Sequence, residues 1–121
     1  MKLIIPHRLP GLNEIIYQAR GNKIISNAQK KKYTELVAWY CKIYKIKKLN
    51  QKADFIFSWY CQNKKRDKDN IMAGQKFIFD GLQSAGVIKN DGWKEIGNIS
   101  HKFYIDKENE RVEIEIVEVN Q

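Results

Sequence analysis

Proline, cysteine and histidine are scarce, with two of each among 121 residues. Both prolines, Pro6 and Pro10, lie near the start, so no Pro-rich linker divides the chain, and the length suits a single domain over residues 1–121. Cys41 and Cys61 are too few for a disulfide framework and too far apart for a metal knuckle, which leaves two buried thiols and an expected cytoplasmic location. His7 and His101 lack the spacing of metal ligands. Apolar runs such as Phe77-Ile78-Phe79 are far short of the roughly 20 residues that cross a bilayer, and the apolar stretch before Pro6 is too short for a signal peptide. There is no phosphate-binding G-x-x-x-x-G-K-[ST], no G-x-G-x-x-G after a strand and no G-x-S-x-G nucleophile turn.

What is present is a packed, basic chain. Hydrophobic residues at 43% and aromatics at 12% exclude disorder, and the formal charge is +8. That charge is uneven: residues 1–68 hold 16 Lys and Arg against 4 Asp and Glu, whereas residues 69–121 hold 6 against 10. A basic half of net +12 beside an acidic half of −4 points to a polyanionic partner, nucleic acid before membrane. A merely solvated lysine surface is the plainer alternative.

The patterning predicts an α+β domain with a small mixed sheet of about four strands and helices packed on it. Residues 2–7 read as a strand and Asn13–Arg20 as a short helix. Ser26-Asn27-Ala28-Gln29 has the form of a capping box, opening a helix that runs to about Lys48 with Tyr33, Leu36, Val37, Tyr40, Cys41 and Tyr44 on one stripe. Lys30, Lys31 and Lys32 oppose the dipole at its start, as a polyanion contact would require. Residues 53–61 alternate Phe55, Phe57, Trp59 and Cys61 against Ile56 and Tyr60, a strand with two apolar faces, one of them free to meet a partner. A helix follows from Asn70 or Ile71 to Ala85, stopped by Gly86. Residues 93–105 and 112–119 read as the strands of a hairpin about a turn at Asp106–Glu110.

The densest polar cluster is Asn63-Lys64-Lys65-Arg66-Asp67-Lys68-Asp69-Asn70. In extended chain, residues two apart point the same way, so Asp67 and Asp69 present adjacent carboxylates. A divalent cation relieves their repulsion, and an all-oxygen donor set suits Mg²⁺ or Mn²⁺. On a continuous helix Lys76 falls on the side of the acids, where it could stabilise charge on a phosphoryl oxygen. Asp91, in the turn Lys89-Asn90-Asp91-Gly92, could complete a three-carboxylate site. The structural alternative makes Asp67 and Asp69 a helix cap, Lys76 and Asp80 an i,i+4 pair and Asp91 a turn residue. That helix is about 22 Å long at 1.5 Å per residue, so Asp91 reaches the other acids either through extended chain or from a second subunit.

The run Arg66-Asp67-Lys68-Asp69-Asn70, then Gln75-Lys76-Phe77-Ile78-Phe79-Asp80-Gly81-Leu82, then Ala85-Gly86-Val87-Ile88-Lys89-Asn90-Asp91, resembles the signature of RusA-type Holliday junction resolvases. The spacing from Asn70 to Lys76 is longer than in that family, and the acidic turn has Asn90 before Asp91 where the family has two carboxylates. The resemblance implies a RusA-like fold and a small dimeric endodeoxyribonuclease, prophage-associated, that resolves four-way DNA junctions with Mg²⁺ in recombination and repair. It puts the metal on Asp67, Asp69 and Asp91 and the catalytic lysine at Lys76. Lys30, Lys31, Lys32, Lys64, Lys65, Arg66 and Lys68 are then expected to track the phosphates of branched DNA. A non-catalytic basic module, with Trp39 stacking on bases, is the rival reading.

Overall fold

A computed structural model of the chain describes residues 1–119. Its elements run β1 (Lys2–Ile5), α1 (Leu12–Gly21), α2 (Lys23–Ile43), β2 (Ala53–Cys61), α3 (Lys68–Met72), α4 (Gln75–Ser84), β3 (Ile96–Ile105) and β4 (Arg111–Glu118). The fold is α+β, with a mixed sheet in the order β1-β4-β2-β3; β2 runs parallel to β3 and antiparallel to β4.

The expected hairpin of the last two strands does not form, because β2 lies between them. Every residue of β2 is buried or half-buried, in strict alternation, as suits a central strand. The turn at residues 106–110 therefore crosses the end of β2, a span of roughly 10 Å at two strand spacings. Asp106 holds that turn: its backbone N–H donates to Cys61 O at 2.8 Å, and its carboxylate accepts from the N–H groups of Glu108 and Asn109, each at 3.2 Å. The second face of β2 is not the free apolar surface the alternation suggested. Ile56, Ser58 and Tyr60 stand beside Glu115, Glu113 and Arg111 on β4 and Ser100, Lys102 and Tyr104 on β3. There the Tyr60 ring stacks on Tyr104 and lies 3.7 Å beneath the Arg111 guanidinium.

The core sits on the opposite face, where Phe55, Phe57, Ile114 and Leu3 meet Val37 of α2 and Ile78 and Leu82 of α4. Helices α2 and α4 touch closely at Gly81, where an added Cβ would collide with Val37.

Helix α2 begins three residues earlier than Ser26, because the Asn22 side chain accepts from Ile24 N and Ile25 N at 2.8 and 3.4 Å and caps it first. It ends at Ile43, short of Lys48. Lys45 adopts a left-handed φ of 53°, Lys45 N bonds Lys42 O and Ile46 N bonds Cys41 O, the paired bonds of a Schellman stop. Glycine usually marks such a stop; here a lysine occupies it. The expected helix 70–85 is broken into α3 and α4. Bonds from Gly74 N to Ile71 O, Lys76 N to Ala73 O and Phe77 N to Gly74 O make a tighter i to i+3 turn between them. Gly86, at φ 76°, closes α4 by the same stop, with Val87 N on Leu82 O.

Candidate active site

Strand β2, the α3–α4 segment and β3 make one parallel crossover, and the polar cluster lies where the chain leaves the C-terminal end of β2. Arg66 anchors it. Its guanidinium is half-buried, donates to Leu9 O at 3.2 Å and stands 3.6 Å from the Glu110 carboxylate. Burial, with Arg8 nearby, lowers its pKa below the usual arginine value. Arg66 is thus a clasp between the loop before α1 and the turn before β4, committed to the protein and unlike the free phosphate contact expected of it.

Asp67 stands at the N-cap position of α3, yet its side chain makes no capping bond. Asp69 accepts only from the N–H of Asn70, at 2.9 Å. Both residues are exposed, and among the described residues neither forms an ion pair, although Lys64, Lys65 and Lys68 are their close neighbours in sequence. The cap-and-salt-bridge alternative is therefore not what the structure contains. Asp67 lines a groove of about 530 Å³ whose other walls include Lys64, Lys68, Ile71, Phe103 and Ile105. The Lys68 ammonium lies over the Phe103 ring at 5.5 Å.

Asn70 holds the site to α1. Its Oδ1 accepts from Asn13 N at 3.0 Å, and it packs so closely on Gly11 that a Cβ there would collide with it. Arg8 and Glu14 brace the same corner through two bonds of 2.5 and 3.3 Å, which hold the Glu14 carboxyl below its ordinary pKa. Neither the Arg66 clasp nor the Asn70 tether was legible, since the backbone partners of both lie 57 positions away.

Lys76 is exposed at the start of α4 and pairs with Asp80 at 3.8 Å, the expected i,i+4 contact. One oxygen of Asp80 is buried without a hydrogen-bond partner. The stripe that aligned Lys76 with Asp69 assumed one helix, and the turn at Ala73-Gly74 interrupts it.

Asp91 is elsewhere. Leu49 N bonds Val87 O, and Ala53 N bonds Glu95 O, so the 87–95 loop is pinned at the N-terminal end of β2. Asp67 and Asp69 lie past the other end of that strand, which is about 30 Å long for nine extended residues. Among the described residues of one chain no three His, Cys, Asp or Glu side chains are grouped to hold a metal. Of the three expected carboxylates, Asp67 and Asp69 lie at one end of β2 and the Asp91 loop at the other.

Lys30, Lys31 and Lys32 are exposed along α2, as is Trp39. Both cysteines are buried, and desolvation pushes Cys41 up to about 11, which leaves an inert thiol. On the core side of β3, Trp59 Nε1 donates to His101 Nδ1 at 2.9 Å, which fixes the remaining ring proton on Nε2. Burial lowers the pKa of His101.

A two-layer domain carrying unpaired carboxylates in a lysine rim has the equipment to handle a polyanion. The sequence model of the family described as Endodeoxyribonuclease RusA matches residues 10–117, and the chain belongs to that family. It is an endodeoxyribonuclease, a Holliday junction resolvase, of a metal-dependent kind. The match extends well before Ser26, to where the sequence signature is faint. A search of curated proteins gives no match.

Proposed function

We propose that Asp67 and Asp69, with Asp91, bind Mg²⁺, or Mn²⁺ in its place, and that the protein nicks the two symmetric strands of a four-way DNA junction as a homodimer. The observation that carries this reading is the two exposed carboxylates with no ion-pair partner among the described residues, Asp67 lining a groove with Lys64 and Lys68. Carboxylate oxygens are hard donors, so a small divalent cation fits these acids better than a soft metal. When bound, such a cation supplies an activated water and neutralises charge on the phosphate.

The chain's own groups do the rest. Lys64, Lys65 and Lys68 draw the phosphodiester toward the acids, and the Arg66 clasp keeps the loop that bears Asp67 in place. Lys76 is exposed and can leave Asp80 for a phosphoryl oxygen, a surface pair of this kind being weak. Lys30, Lys31 and Lys32 hold the duplex arms through their phosphates, which recognises shape before sequence.

The test is a labelled four-way junction incubated with and without Mg²⁺. Paired nicks that need the metal, and vanish with chelator, are expected. Tight junction binding with no cutting under any divalent cation would overturn the catalytic reading.

A further inference from the structure

Two backbone bonds, Leu49 N to Val87 O at 2.9 Å and Ala53 N to Glu95 O at 3.1 Å, hold residues 48–53 against residues 87–95 at the N-terminal end of β2. The two segments line a hollow of about 550 Å³ with four lysines, Lys48, Lys52, Lys89 and Lys94. Among the described residues none of the four forms an ion pair. Glu95, the carboxylate of the hollow, pairs with none of them, and its buried Oε2 has no hydrogen-bond partner. Ammonium groups gathered without counter-charge repel one another, so the arrangement opposes folding until an anion joins it.

Lys52 also lines a second hollow, of about 360 Å³, and shares it with Trp93. Trp93 is 92% exposed, more than any other large apolar side chain among the described residues. It does not sit on a loose tip. Glu95 N and Ile96 N both donate to Gly92 O, at 3.2 and 2.9 Å, and close the turn that carries it. Asp54 in the same hollow is engaged by the protein, its Oδ1 accepting from Asn98 N at 2.7 Å.

A flat aromatic face held outward beside unpaired ammonium groups matches the chemistry of a nucleic-acid strand, whose bases stack on rings and whose phosphates lie against cations. We infer that this end of the sheet binds an unpaired stretch of a DNA strand, with one base stacked on Trp93 and the flanking phosphates held by Lys48, Lys52, Lys89 and Lys94. A base inside a duplex is already stacked on both sides and is costly to extract; one without a paired partner is not. The site therefore does what Lys30, Lys31 and Lys32 cannot do through phosphates alone. It favours branched DNA, whose pairs at the crossover open more readily than those inside an arm, over linear duplex. The inference rests on the DNA substrate of the family and not on the metal reading of Asp67, Asp69 and Asp91.

Oligothymidine binding in the presence of chelator tests this, since the strand has no complement and nothing is cut. In a Trp39→Phe background Trp93 is the one well-exposed indole, Trp59 being buried, and its emission should fall as oligothymidine is added. Trp93→Leu, at a surface position, should keep the wild-type circular dichroism and weaken oligothymidine binding about tenfold or more, with Trp93→Phe recovering part of the loss. The same Trp93→Leu chain should show a smaller preference for a four-way junction over linear duplex. Lys52→Gln with Lys94→Gln should reduce the log–log salt slope for oligothymidine by about 1.4, at roughly 0.7 for each phosphate contact on a single strand. Lys23→Gln with Lys107→Gln removes as much charge elsewhere and should leave that slope unchanged. Equal oligothymidine affinity in wild type and Trp93→Leu would overturn the site, as would equal slopes in the two lysine pairs. A changed sedimentation coefficient for Trp93→Leu with DNA binding intact would also overturn it, making the indole a protein contact. Nicking of a junction by wild type with Mg²⁺ is scored separately, so the metal site stands or falls independently of these results.

Discussion

Asp67 occupies the position of a helix cap without acting as one, and that separates its two possible roles. An N-cap side chain that accepts a backbone bond contributes about 1 kcal/mol, and its loss lowers the melting temperature. The Asp67 carboxylate accepts none. Asp67→Asn should therefore melt within a degree or two of wild type, bind a junction as well or better because a negative charge has gone, and cut at least a hundredfold more slowly. Calorimetry and a cutting assay on the same preparation check this; a drop of several degrees would return the residue to a structural role. The neighbouring Arg66 differs in kind. Its basic character is visible in the sequence, but its contacts with Leu9 and Glu110 depend on the whole chain being folded.

At the level of elements, alternation in residues 53–61 identified β2 without ambiguity, because nine residues of period two fit no helix. The boundaries of α2 were hidden by ordinary chemistry in unusual places. Ser26 to Gln29 has a capping pattern, but Asn22 captures the free N–H groups first, and Lys45 stops the helix in a conformation where glycine is the usual marker. The hairpin expectation failed because adjacency in sequence says nothing of a third strand, and only β2, apolar on one face and half-covered on the other, could fill the centre. Of the site, spacing drew attention to Asp67 and Asp69 on the premise of extended chain, but residues 68–72 are α3, so Asp69 lies in its first turn and Asp67 alone of the two lines the groove, while the placement of Asp91 needed the crossover. The contact of α4 with α2 gives a test of its own. Gly81→Ala drives a methyl into Val37, and overpacking of this size costs about 1–3 kcal/mol. Denaturant titration should show the loss with the m-value unchanged, and Gly81→Ala combined with Val37→Ala should recover part of it. No recovery would mean that the helices do not meet there.

For the molecule as a whole, charge sets two responses. A resolvase that holds DNA through lysines along α2 and around the Asp67 groove should lose affinity steeply and linearly on a log–log plot against salt. Junction and linear duplex should show similar slopes and differ in intercept, since shape and not charge number distinguishes them; filter binding between 50 and 200 mM salt, on the order of the usual working range, measures both. A flat response would remove Lys30, Lys31 and Lys32 from the DNA face. Acid acts on stability. Bonds from Arg8 to Glu14 and from Lys2 to Glu113 hold both carboxyls below their ordinary value of 4.5 in the folded chain. Their contribution is complete above that pH and disappears as pH falls through the lower, folded values. Thermal unfolding between about pH 7 and pH 3 should show the decline, and the Glu14→Gln, Glu113→Gln double variant should decline less over the same interval.

The sheet order has a further consequence, for biosynthesis. β4 is the last of the strands to be made, yet it lies between β1 and β2, bonded to both, with the N-terminal amine on Ile116 O at 3.0 Å. Until residues 111–118 leave the ribosome, β1 has no neighbour and the apolar face of β2 lacks Val112, Ile114 and Ile116 beside it. A nascent chain already carrying Asp67, Asp69 and Asp91 therefore has at most the β2–β3 pair beside them, and the four-stranded sheet closes only when synthesis of this region is complete.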